Sequence, residues 1–149
     1  MEMLFGLPAH PLVTHFPVVG IPLVSLAGIA LVFRPTARDT IGLGVAIFGL
    51  LTAIATFVAA SSGEAFAELL SSGDEINKHR QLGETLRIFA ALQAVSIIAL
   101  VTNHRANPSD STAALTKVVS TAVVISSGLA LIWVIRTGHE GASQTWGFF

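Results

Sequence analysis

The histidines are the residues of this chain whose type and position best suit cofactor chemistry. The sequence Ala9–Pro17, AHPLVTHFP, brings His10 and His15 into the entrance of a long apolar segment that contains prolines. His79 precedes another such segment, and His139 follows the last one. Because imidazole nitrogens ligate haem iron, copper and zinc, histidines at these positions predict a cofactor site at one end of a helical bundle.

A haem site needs two histidines from different helices. The iron takes two axial nitrogens about 2 Å away on opposite faces, which a single helix cannot supply. At their spacing, with Pro11 between them, His10 and His15 do not share a helical face. We therefore expect His15 to pair with His79 or His139, while His10 only begins the helix. Two helical faces carry these residues: His15, Val19, Pro22 and Leu26 on the first segment, and His79, Gly83, Leu86, Ala90, Gln93 and Ile97 on the third.

A second interpretation is a mononuclear metal site. Copper, iron and zinc bind imidazole together with carboxylate oxygen. Such a site would draw on five residues: His10, His15, His79, His139 and Glu64.

Arg87 is a charged residue inside an apolar segment, a position that indicates function in a membrane protein. It predicts a partner for a haem propionate. Glu84, about one turn earlier, allows instead a structural ion pair with Arg87.

Each histidine also has a purely structural interpretation. His15 can donate a hydrogen bond to a backbone carbonyl that Pro17 or Pro22 leaves without its partner. His79 can be solvated near a helix N-terminus, and His139 can serve a helix C-terminus.

The elements that must position these residues are four apolar segments. Of 149 residues, 52% are hydrophobic and 11% are charged, whereas a soluble domain has roughly 25% charged residues. Each segment has the length of about 20 residues that crosses a hydrocarbon core about 30 Å thick. The sequence predicts a single integral membrane domain over residues 1–149, with spans at 12–33, 41–60, 82–102 and 118–136.

An even number of spans gives an all-α fold, a four-helix transmembrane bundle with both termini on the same side. The four histidines discussed above share that side, and the opposite side carries the basic residues Arg34, Arg38, Arg105 and Lys117. Arg34–Thr40 is expected to be a short turn. Because short basic loops favour the cytoplasm, we expect both termini outside.

Composition excludes several other classes of protein. The chain has no cysteine, so it holds no disulfide, iron–sulfur cluster or covalently attached haem. A net charge of −1 gives no sign of the excess of basic residues that nucleic-acid binding requires. The start of the chain, MEMLFGLPAH, lacks the basic residues of a signal peptide, and the apolar run that follows is too long for one.

Three motifs give the chain a resemblance to a known family. They are His10-Pro11 with Val13 and His15-Phe16-Pro17; Ser62-Gly63-Glu64 with His79 and Gly83; and Thr137-Gly138-His139 with Gly141. In this order they resemble the bacterial predicted-membrane-protein family called domain of unknown function 2231. The resemblance implies a four-helix bundle in the bacterial inner membrane, associated with respiratory redox modules such as Rieske and cytochrome domains. Where family members often carry a further histidine, this chain reads Gln144-Thr145-Trp146-Gly147, so that ligand is absent.

The histidines and the resemblance together predict a b-type haem-binding electron-transfer component, with haem b held near the outer membrane face. The alternatives are a mononuclear copper, iron or zinc protein, and a non-catalytic accessory or structural subunit of a larger membrane complex. Each of these is a carrier or a subunit rather than an enzyme. The expected partners are the lipid bilayer, redox or respiratory membrane proteins, or further copies in a homo-oligomer, and not nucleic acid.

Overall fold

The computed structural model describes residues 3–4, 7–67, 74–106 and 114–146. A short antiparallel pairing of β1 (Met3–Leu4) with β2 (Leu7–Pro8) precedes the helices. The helices are α1 (Ala9–Phe33), α2 (Pro35–Thr40), α3 (Gly42–Ala67), α4 (Asp74–Ala106) and α5 (Ala114–Trp146).

The four long helices form an up-and-down bundle. α1 packs against α3 and α5, and α4 packs against the same two helices, so α1 and α4 lie diagonally across the bundle. The start of α1 lies beside the end of α3, and the start of α4 beside the end of α5, at one end of the bundle. Among the described residues, four segments are long and apolar enough to cross a membrane: Leu12–Phe33, Gly42–Gly63, Asn77–Ala106 and Ala114–Ser143. The predicted all-α fold, a four-helix transmembrane bundle, is confirmed.

At the opposite end of the bundle, Arg38 contacts the last turn of α1. Its guanidinium donates through Nε to the Leu31 carbonyl at 2.7 Å and through Nη2 to the Val32 carbonyl at 3.1 Å. The last carbonyls of a helix have no partner within it, and a cation there is favourable. Burial lowers the pKa of Arg38, and Asp39 offsets part of this, but an arginine stays charged. The expected turn is therefore a short helix, α2, built around this residue.

Small residues allow the helices to approach closely. A Cβ added at Gly20 would lie 2.8 Å from Thr52 Oγ1, and one added at Gly28 would lie 2.8 Å from Ile97 Cδ1. Lipid tails are as apolar as leucine, so membrane helices associate through such packing and through hydrogen bonds. The outer faces carry many exposed large apolar side chains, as contact with lipid requires.

A buried polar layer joins α1, α4 and α5 deeper in the bundle. Gln93 Nε2 donates to Ser25 Oγ at 2.6 Å and to Ser127 Oγ at 3.3 Å. The hydroxyls of Ser96 and Ser126 lie 3.0 Å apart beside it. All five side chains are buried. Hydrogen bonds between helices at this depth fix how the helices are rotated against each other.

The two diagonal helices bury the same series of positions. The buried residues of α1 include Pro17, Ile21, Val24, Ser25, Gly28 and Leu31, and those of α4 include Leu86, Ala90, Gln93, Ala94, Ile97 and Leu100. Each residue of the first series is separated from its counterpart in the second by the same number of positions in the sequence. His10 and His79 have this same separation. The hairpins α1–α3 and α4–α5 therefore bury corresponding positions of their first helices.

Candidate functional site

His10 and His79 lie beside each other at the histidine-bearing end of the bundle. Their ring centroids are 6.3 Å apart, and their planes are inclined at 83°. Because His10 belongs to α1 and His79 to α4, the two imidazoles come from helices that lie diagonally opposite. We refer to these two side chains as the histidine pair.

The position of each histidine follows from helical periodicity. His10 shares a face of α1 with the buried Pro17, Val24 and Leu31, which lie two turns apart from one another. The expected face of His15, Val19, Pro22 and Leu26 instead points mostly outward, since only Pro22 is partly covered. On α4, the expected face with His79 does point into the bundle, as the burial of Leu86, Ala90, Gln93 and Ile97 shows.

The His10 ring is held by the end of α3. Its Nδ1 atom lies 3.0 Å from the Ala59 carbonyl and 3.2 Å from Ser62 Oγ. A carbonyl oxygen only accepts hydrogen bonds, so Nδ1–H donates to Ala59, and the Ser62 hydroxyl donates to the same carbonyl at 2.9 Å. This tautomer places the ring's lone pair on Nε2.

The charge state of His10 follows from its surroundings. Burial lowers the pKa of His10, and its neighbour His79 lowers it further, while the Ala59 carbonyl raises it in part. The ring is therefore neutral at pH 7, which is the form of histidine that ligates a metal.

The His79 ring is placed against the end of α5. The backbone of Thr137 lies within hydrogen-bonding reach of the imidazole. The buried Nδ1 atom faces Gly141 of the same helix, and its contact with α5 falls short of full hydrogen-bond geometry. The Nδ1 side of His79 therefore lies against α5, as the Nδ1 side of His10 lies against α3.

A glycine supports each ring of the histidine pair. A Cβ added at Gly63 of α3 would lie 2.8 Å from His10 Cε1, and one added at Gly141 of α5 would lie 2.9 Å from His79 Cε1. Any side chain at either position would displace a ring. Each of the four long helices thus contributes one residue, a histidine or a glycine, to this end of the bundle.

An ion pair lies next to His79. Lys78 Nζ is 2.6 Å from Glu140 Oε2, and the Glu140 side chain is 13% exposed while that of Lys78 is 63% exposed. Glu140 is the residue that precedes Gly141 and acts electrostatically on His79. Arg80, on the other side of His79 in the sequence, lies 3.9 Å from Glu84.

The structure distributes the predicted site residues unevenly. It brings His10 and His79 together, whereas His15 and His139 are exposed on α1 and α5. The Cζ atom of Arg87 lies 6.0 Å from the centre of the Phe57 ring. Glu64 belongs to α3, but its side chain lies outside the described residues. Over the described ranges there is no group of three or more histidine, cysteine, aspartate or glutamate residues that could hold a metal ion.

Sequence reasoning made His10 a candidate ligand only of the mononuclear metal site, took it as a helix start in the haem interpretation, and missed the role of both glycines. The residue lies before Pro11, and that position suggested a helix start at the proline. The structure begins α1 at Ala9, so His10 already lies in the first turn and points inward. The two-turn spacing that leads from His10 to Pro17 and Val24 was the signal that could have found it.

The remaining histidine lies at the opposite end of the bundle. His104 Nε2 is 3.0 Å from Asp39 Oδ1, and the imidazole is 10% exposed. This contact ties α4 to the segment around α2 and is separate from the histidine pair.

Four long apolar helices around a small-residue and polar interior define an integral membrane protein of the four-helix class. The chain belongs to the family described as predicted membrane protein (DUF2231), whose model matches residues 6–148 and so confirms the resemblance. No curated protein and no solved structure matches it.

Proposed function

We propose that this protein binds haem b between His10 and His79 and carries electrons at one face of the membrane. The observation that carries the proposal is the histidine pair itself, two imidazoles from diagonal helices with centroids 6.3 Å apart. Haem supplies one-electron redox chemistry when bound, and the chain supplies the ligands and their surroundings.

The separation of the two rings matches what axial ligation requires. Imidazoles on opposite sides of one iron have ring centres roughly 6 Å apart, because each Fe–N bond is about 2 Å and each ring centre lies about 1 Å behind its nitrogen. The inclination of 83° is compatible with this arrangement, since each axial ring can rotate about its own bond to iron.

The hydrogen bonding of the pair also fits a ligand role. A metal-bound histidine usually donates its second ring nitrogen to a carbonyl, which fixes the ring and its tautomer. His10 does this through Nδ1 and the Ala59 carbonyl. The Nδ1 side of His79 faces Gly141 and the Thr137 backbone of α5, so Thr137 is the matching carbonyl for this ring.

A haem suits two histidines better than a bare metal ion does. The porphyrin supplies four nitrogens, so the protein needs to add only two. A mononuclear copper or zinc site takes three or four protein ligands, and the described residues offer no such group. In this proposal His10 replaces His15 as the partner of His79. Arg80, Arg87 and Arg136 lie toward this end of the bundle, where they could pair with propionates.

The side of the membrane on which the site lies is part of the same proposal. Short loops with Arg34, Arg38 and Lys117 favour the cytoplasm, which would put the termini and the histidine pair at the outer face of a bacterial inner membrane. The redox partner would then be a membrane protein or a protein domain that approaches this outer end.

The experiment is an absorption spectrum of the detergent-purified chain, before and after reduction with dithionite. We expect a Soret band that shifts on reduction and that is lost or strongly reduced in His10→Ala and His79→Ala. The matched controls His15→Ala and His139→Ala remove exposed histidines and should keep the band.

Three outcomes contradict the proposal. A colourless wild-type chain with stoichiometric metal favours the mononuclear site, and a colourless chain that purifies only with partner proteins favours an accessory subunit. Loss of the band in His15→Ala, with the fold intact by circular dichroism, would reject the assignment of His10 as the ligand.

A further inference from the structure

The ion pair between Lys78 and Glu140 lies beside the His79 member of the histidine pair. Glu140 lies on α5 directly before Gly141, the residue against which the His79 ring packs. Lys78 directly precedes His79 on α4. The 2.6 Å contact therefore places one negative and one positive charge beside the same imidazole.

The two charges differ in their contact with solvent. The Glu140 side chain is 13% exposed, whereas that of Lys78 is 63% exposed. A charge near water is screened more strongly than one in a partly buried position. The electrostatic effects of Glu140 and Lys78 on His79 therefore do not cancel. The Glu140 carboxylate acts on His79 through its charge.

We propose that Glu140 stabilises positive charge on the centre bound at the histidine pair, and that Lys78 limits this effect. The inference rests on the proposed function and extends it to how the midpoint potential of the site is set. Reduction of ferric to ferrous iron adds one electron from a donor protein and removes one positive charge. A nearby carboxylate therefore favours the oxidised form and lowers the midpoint potential.

A purely structural ion pair gives a different result. If the contact only holds α4 against α5, removing either charge weakens the same contact and shifts the midpoint potential in the same direction. If the effect is electrostatic, removing Glu140 and removing Lys78 shift the midpoint potential in opposite directions. The sign of the effect thus separates the two roles without reference to its size.

The test measures midpoint potentials of Glu140→Gln and Lys78→Met by redox titration of the haem-loaded chain. We expect Glu140→Gln to raise the potential and Lys78→Met to lower it. A change of about threefold to tenfold in the ferric/ferrous equilibrium is expected for a partly screened charge, which is roughly 30 to 60 mV at 59 mV per tenfold. The double variant should return close to wild type.

Two residues outside the proposed site supply matched controls. Glu84 lies on α4, and its side chain is 37% exposed, so its charge is screened more strongly than that of Glu140. Lys117 is exposed on α5 near the opposite end of the bundle. Glu84→Gln and Lys117→Met make the same changes of charge as Glu140→Gln and Lys78→Met, and each should shift the potential by less than half as much as its counterpart.

A second measurement separates this inference from the haem proposal. Two histidines can bind Zn²⁺ weakly in the haem-free chain, with water in the remaining coordination positions. The Zn²⁺ affinity, measured by calorimetry, should fall in Glu140→Gln and rise in Lys78→Met. Opposite shifts for Zn²⁺ without a Soret band would retain the role of Glu140 and reject haem. A Soret band with both variants shifted in the same direction would overturn the inference alone. A chain that binds neither probe overturns both.

Discussion

At the scale of single residues, the site depends on the absence of a side chain beside each imidazole. Gly63 and Gly141 leave room for the rings of His10 and His79, and an added methyl group would lie under 3 Å from either ring. Close packing of this kind tolerates little change, because forcing an atom into a filled space costs about 1–3 kcal/mol.

We predict that Gly141→Ala displaces His79 and weakens haem retention by about tenfold or more, since 1.4 kcal/mol corresponds to a factor of ten. Gly138→Ala is the matched control, one turn away on α5 with nothing within 4 Å of an added Cβ. Alanine favours a helix over glycine by about 1 kcal/mol, so the control should be neutral or slightly stabilised. Soret absorbance per protein measures the effect, and equal retention in both variants would reject the packing argument.

The lowered pKa of His10 gives a prediction about pH. As the pH falls, the unfolded chain takes up the proton first, because its histidine has the ordinary pKa of 6.5 while that of folded His10 is lower. The free energy of unfolding is therefore unaffected by this residue above that value and decreases below it, until the folded-state pKa is passed.

Thermal unfolding of the haem-free chain in detergent at pH 5 and pH 7.5 tests the His10 prediction. Stability should be lower at pH 5, and His10→Asn, which keeps a hydrogen-bond donor but does not titrate, should reduce the difference. His15→Asn removes an exposed histidine and should leave the difference unchanged. An unchanged difference in His10→Asn would show that other groups cause it.

At the scale of the elements, rotation of the helices about their axes decides which residues meet. The layer around Gln93 links α4 to α1 and α5 by hydrogen bonds in the bundle interior. This layer holds the inward face of α1 that carries His10 against the face of α4 that carries His79.

We predict that Gln93→Leu destabilises the bundle by about 1–2 kcal/mol, because it removes two interhelical hydrogen bonds and leaves two buried serine hydroxyls without that donor. Gln81→Leu makes the same change at an exposed position of α4 and should have little effect. Denaturation by a graded detergent mixture, followed by circular dichroism, measures both. Equal stability of the two variants would contradict the structural role of the layer.

At the scale of the whole molecule, the chain is two helical hairpins that each bring a histidine and a glycine to one end. Neither hairpin alone contains both members of the histidine pair. We predict that fragments 1–70 and 71–149, expressed together, associate and restore the Soret band of the intact chain. Either fragment alone should lack it, and so should the pair when the second fragment carries His79→Ala. Association without the band would mean that the connection between α3 and α4 is needed to position the site.

Much of this architecture could be predicted from the sequence, because crossing a membrane is a local property of length and apolarity. The four spans and the inward face of α4 follow from such patterns. The pairing of His10 with His79 could not be predicted in the same way, since it depends on how α1 is rotated. Both faces of α1 are apolar, so hydropathy does not distinguish the lipid side from the bundle side. For that reason the exposed His15 was expected to be the ligand.

The position of the histidine pair has a consequence for membrane voltage. His79 lies at the very beginning of the segment Asn77–Ala106, so the pair is close to one surface of the bilayer. Moving one charge across the whole membrane is worth about 2.3 kcal/mol per 100 mV, but a charge that arrives from the near side crosses only a small part of that field. If haem binds as proposed, electron uptake at this site would therefore depend very little on the membrane potential. The molecule would then exchange electrons at one membrane face and move almost no charge across the bilayer.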